Sequence, residues 1–135
     1  MSNIRLLEII FAGVGGWIGW FLGGIDGLVY TIVIFVVMDY ITGVMVAINT
    51  KTLSSDVGFK GICRKVLIFI LVGMGHLIDT HVLGDGATIR TAIIFFYIAN
   101  EGLSIIENSG KLGLPIPQKL RDILEQLKDG DDDEK

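Results

Sequence analysis

The chain has 135 residues, of which 51% are hydrophobic and 19% charged, and its mean hydropathy is +0.64. The net charge of -4 sits in the last seven residues, where five acids face Lys135, and the rest of the chain balances ten basic against ten acidic side chains. No basic face suits a nucleic acid, and the single cysteine, Cys63, excludes an internal disulfide or a multi-cysteine metal site.

The apolar residues fall in four long blocks, as a lipid-facing chain requires. The first, residues 6–23, is rich in glycine and carries two tryptophans. It reads as a retained span, since Arg5 is its only preceding base and no small-x-small cleavage site follows. Gly15, Gly19 and Gly23 recur at four-residue intervals and line one helix face, where a second backbone can approach closely. The second block, residues 28–49, is long enough to cross a hydrocarbon layer of roughly 30 Å. Within it Asp39, Gly43 and Ala47 form one small and polar stripe. In the third, residues 66–83, His76 and Asp79 add a shorter polar face. The fourth, residues 91–108, places Tyr97, Asn100, Glu101, Ser104 and Asn108 on one face. None of the blocks alternates polar with apolar residues, which argues against a transmembrane β-barrel.

Gly110, Gly113 and Pro115 break the helix after the fourth block. Pro117 then suits a first helical position, and Leu120, Ile123, Leu124 and Leu127 recur at helical spacing. That stripe suits the membrane surface, the bundle or a neighbouring subunit. The expected fold is an all-α integral membrane protein, with four transmembrane helices plus a short C-terminal amphipathic helix. Residues 1–110 form the transmembrane domain, and residues 111–135 form a cytoplasmic amphipathic helix and a disordered acidic tail.

Lys51, Lys60, Arg64 and Lys65 lie between the second and third blocks, and Arg5, Lys111, Lys119 and Arg121 flank the termini. Four spans with both termini in the cytoplasm put every basic cluster on the side that the positive-inside rule prefers. An ionised carboxylate at the bilayer centre costs roughly 2.5–3.5 kcal/mol, so Asp39 and Glu101 are expected to turn away from lipid. Two arrangements satisfy them: a bundle with neutral, hydrogen-bonded carboxyls, or polar faces that meet water once subunits assemble. No Ser/His/Asp constellation, phosphate-binding loop or HExxH motif is present. His81 is offset from His76 and Asp79, and no fourth ligand is evident. Neither catalysis, a metal nor a cofactor is expected.

Several stretches together resemble the toxin-secretion and phage-lysis holin family. They are Met38-Asp39-Tyr40-Ile41-Thr42-Gly43, then Leu53-Ser54-Ser55 leading into Gly58-Phe59-Lys60-Gly61. Tyr97 through Asn108 and Leu112-Gly113-Leu114-Pro115-Ile116-Pro117 complete the pattern, so that the likeness covers about three quarters of the chain. The resemblance implies a homo-oligomer in lipid, which accumulates in the cytoplasmic membrane of a bacterial host and opens it to an endolysin or a toxin. An antiholin is an implied partner. The competing expectations are a small ion-selective channel and an antiholin or membrane adaptor.

Overall fold

The computed structural model describes residues 2–129. These residues form α1 (Asn3–Phe21), α2 (Gly27–Asn49), α3 (Ser55–Leu77), α4 (Thr88–Lys111) and α5 (Gln118–Asp129), and α3 continues into a π-helical stretch, Ile78–Val82. The first four helices are long and apolar enough to cross a membrane. The fold is all-α, with four candidate spans and a fifth, C-terminal helix. The acidic tail beyond Asp129 lies outside the described residues.

Local chemistry sets the helix starts. Ser2, Asp26 and Ser54 each accept a hydrogen bond from the backbone N–H three residues on, capping α1, α2 and α3. The α1–α2 turn passes through Gly23 and Gly24 at φ +84° and +100°, a conformation that glycine adopts without strain. α3 begins well before the third apolar block. Ser54 caps it, and Lys60 pairs with Asp56 one turn earlier at 3.2 Å on an exposed face. The basic connection of residues 50–65 is therefore mostly helix, which brings Arg64 and Lys65 onto a spanning element.

α2, α3 and α4 form the bundle. Val29, Ile32 and Val36 of α2 meet Ile68 and Val72 of α3 and Ile94 and Ile98 of α4, closed at one end by Leu22. A second cluster joins Leu103 and Ile106 of α4 to Leu124 of α5, with Ile116 packed against it. Gly102 makes that contact possible, because a Cβ there would stand 3.1 Å from Leu124 and 3.3 Å from Phe35.

α1 stands largely apart and has no buried residue. Its hold on the bundle is at its last turn, where Phe21 covers Gly73 of α3 and Trp17 stacks on Phe21 with ring centroids 5.6 Å apart. Gly13, Gly15 and Gly16 face open space, and Gly19 has only the Ile25 side chain beside it. Gly73→Ala puts a methyl where the Phe21 ring lies. It is expected to cost about 1–3 kcal/mol in detergent-solubilised unfolding, the usual range for overpacking. Gly15→Ala, made into open space, is expected to stay within about 0.5 kcal/mol of the parent.

Candidate functional site

Three helices meet at one ammonium group. Lys65 of α3 donates to Asp39 Oδ2 of α2 at 2.6 Å and to Glu101 Oε2 of α4 at 2.7 Å. All three side chains are largely shielded, at 16%, 12% and 6% exposure for Lys65, Asp39 and Glu101. Asn108, two turns along α4, donates to Asp39 Oδ1 at 3.3 Å and to Thr42 Oγ1 at 3.0 Å. Thr42 turns its own proton back to the carbonyl of Met38. Each carboxylate thus finds a cation inside the bundle, which is the arrangement that makes an ionised group tolerable at membrane depth.

Beyond this layer α2 and α3 part, and a cavity of about 640 Å³ opens between α2, α3 and α4. Asp39, Lys65, Glu101, Asn100, Ser104 and Asn108 supply its polar lining, and Leu53, Val57, Leu67 and Leu71 are among its apolar walls. The space exists because the inward positions are small: Gly43 and Ala47 on α2, Gly58 and Gly61 on α3. Tyr40 leans across it onto the two α3 glycines, where Cβ atoms would lie 3.3 and 3.6 Å from its side chain.

A second polar cluster closes the opposite end of the bundle. Asp79 is fully buried and accepts from the N–H groups of Ile89 and Arg90, both at 2.9 Å. It thereby caps α4 from outside the helix, as no local side chain does so. The Arg90 guanidinium, on a residue only 4% exposed, reaches the α1–α2 turn. It donates to Leu22 O at 2.6 Å, to Gly24 O at 3.0 Å and to Asp26 Oδ2 at 2.8 Å. Gly23 is obligatory beneath it, since a Cβ would stand 2.8 Å from Arg90 Nε and 2.6 Å from His76 Nδ1. The hydrogen bond from Arg90 lowers the pKa of Asp26 below its ordinary value.

The polar residues singled out in the sequence divide between these two places. Asp39, Tyr97, Asn100, Glu101 and Ser104 share the cavity, and Gly43 and Ala47 line it as well. His76 and Asp79 lie at the other end, where they are not hydrogen-bonded to each other; His76 is 3.5 Å from Thr80. Lys51 and Lys60 are exposed, and Arg64 lies at the cavity wall. Two structural roles escape a reading by composition: Lys65, grouped with the topology-setting bases, and Arg90, the only base between the third and fourth blocks. Their signal was spacing. Gly61, Lys65, Ile68 and Val72 lie on one face of a helix, and Arg90 is four residues ahead of Ile94.

An apolar exterior around an internally neutralised polar seam, in a chain with four candidate spans, defines a multi-helix membrane protein. The model of the bacteriophage holin family matches residues 16–129, and the chain belongs to that family. A protein of Bacillus phage phi105 named a probable holin is 39% identical over 99 residues, covering 73% of this chain and 72% of the phage protein. Uncharacterized proteins of Listeria innocua and Clostridium perfringens are 42% and 39% identical, each over more than nine tenths of both chains. No solved structure matches.

Two measurements probe the clusters. Lys65→Met removes the ammonium and leaves two carboxylates facing each other. A loss of about 3–5 kcal/mol is expected, most of it recovered when Asp39→Asn and Glu101→Gln are added. At the other end, a lowered folded-state pKa at Asp26 means stability that is present above the ordinary aspartate value and lost as pH falls through the folded one. Unfolding followed below about pH 4 should show that loss in the parent and less of it in Asp26→Asn.

Proposed function

We propose that this protein is a holin: it accumulates in the cytoplasmic membrane of a bacterial host, self-associates there, and opens lesions that let a cytoplasmic endolysin or toxin reach the cell wall. The observation that carries this reading is the family match along almost the whole bundle and α5, together with the phage relative named for the same role. The chemistry of the two polar clusters is compatible with it. The residues gathered at the two clusters neutralise and tie one another, and no metal-ligand set is found among the described residues. The activity is assembly, not catalysis.

The positive residues support an orientation with both termini in the cytoplasm. Lys51, Lys60 and Arg64 then meet the inner surface, and the Arg90–Asp79 cluster lies towards the outer one. α1 supplies a second supporting feature. Its glycine-bearing surface is unpartnered in the single chain, so close helix contact through Gly15 or Gly19 is available to another copy.

Inducible expression in bacteria, with and without a co-expressed cytoplasmic endolysin, tests the reading through membrane potential and culture turbidity. A holin is expected to collapse the potential abruptly after a delay, with clearing of the culture only when endolysin is present. Loss of potential without endolysin release points to a small ion-selective channel. Neither effect at confirmed membrane levels points to an antiholin or adaptor.

A further inference from the structure

α5 occupies a place that its own chemistry makes costly in lipid. Leu124 packs on Gly102 of α4, so α5 runs back alongside the helix that precedes it. The 24 residues of α4 make a rod of about 36 Å, and the stretch from Gly102 to Lys111 accounts for about 13 Å of it. Were that stretch outside the membrane, the remaining 22 Å or so of α4 would fall short of a hydrocarbon layer of roughly 30 Å. The level of Gly102 and Leu124 is therefore inside the membrane whenever α4 crosses it. Glu101, next to Gly102, is at that depth too, and the bundle turns it inward onto Lys65.

The outer side of α5 has no such shelter. Asp122, Glu125, Gln126 and Lys128 are exposed, and the one side-chain hydrogen bond among the described residues of α5 runs from Gln118 to Asp122. Hydrocarbon is a poor solvent for that surface, and water is a good one. Meanwhile the bundle buries Leu124 and only half-covers the rest of the apolar stripe, with Leu120, Ile123 and Leu127 at 40–45% exposure. A helix with so polar a face and a partly free apolar stripe has an alternative resting place on the membrane surface.

We propose that α5 is a movable wall element: it lies on the membrane surface in the dispersed protein, and folds back along α4 when copies assemble around water, its charged side lining the aqueous opening. This inference rests on the holin reading and extends it, by naming the surface that borders the water. Folding back also explains Gly102, whose missing side chain is the seat for Leu124.

Two readouts on the full-length protein in liposomes test it, at low and at high protein-to-lipid ratio, both in a Cys63→Ser background. The first is oxidative cross-linking of the pair Leu103→Cys and Leu124→Cys, whose parent side chains share one cluster. The second is a nitroxide at Glu125→Cys, challenged with a water-soluble nickel chelate and with lipid-soluble oxygen, with a nitroxide at the lipid-facing position Val37→Cys as reference. Release of an entrapped protein-sized dextran is followed in parallel. The proposal expects the cross-link to rise several-fold with protein density, and the Glu125 label to answer to nickel rather than oxygen at high density. It also expects the oxidised, locked protein to release dextran at least as well as the reduced one.

A pair that never cross-links, a Glu125 label that behaves like the Val37 one, or release abolished by the lock each overturns the proposal. If dextran escapes in the first two cases, the holin reading stands without it. If the cross-link and nickel response appear while no dextran escapes under any condition, α5 folds back without bordering a protein-sized opening, and the proposal falls together with the holin reading.

Discussion

One ammonium group shared by two carboxylates organises this bundle. Lipid tails are as apolar as leucine, so helices in a membrane gain little from burying leucine against leucine. Polar groups that must find each other supply direction instead. Lys65 sets the rotation of α3 against α2 and α4 together, because a turn of any one helix would strand a charge. The apolar layer of Val29, Ile32, Val72 and Ile94 then packs where that rotation places it. Arg90 and Asp79 repeat the principle at the other end, binding the α1–α2 turn and the start of α4 into one network.

Much of this was legible beforehand, and the illegible remainder has a common cause. The four spans, the polar stripe beginning at Asp39, the face running from Tyr97 to Asn108 and the amphipathic character of α5 all follow from the periodicity of single segments. Which stripe faces which does not, because one helix's period says nothing of its neighbour's rotation. Lys65 and Arg90 sit at the margins of apolar blocks, where a base reads as an anchor at the surface; only the assembled bundle turns them inward. The glycines divide on the same ground. Gly15 and Gly19 stand out by regular spacing yet meet no other helix within the chain, while Gly73 and Gly102 are seats for Phe21 and Leu124, partners distant in sequence.

The family model covers the tied bundle and α5 but not the start of α1. The match starts at residue 16, just before Trp17, Gly19 and Phe21 give α1 its contacts with the remainder. Ahead of that point every described residue of α1 is exposed, although the Listeria innocua relative aligns over nearly the whole chain. The match ends with α5 at residue 129, which places the charged helix inside the common architecture. The chain thus has a tightly tied three-helix centre and a first helix held mainly at its last turn.

The π-helical stretch at Ile78–Val82 gives the chain one residue more than regular α pitch needs, visible in the hydrogen bond from Leu83 N to Ile78 O at 2.9 Å. The register that matters is settled upstream, through Lys65, Ile68 and Val72. The slack falls in the turn that carries Asp79 itself, beside the connection to α4. The junction is a spacer with one residue of play, set between the register that Lys65 fixes and the clasp that Asp79 makes on the start of α4.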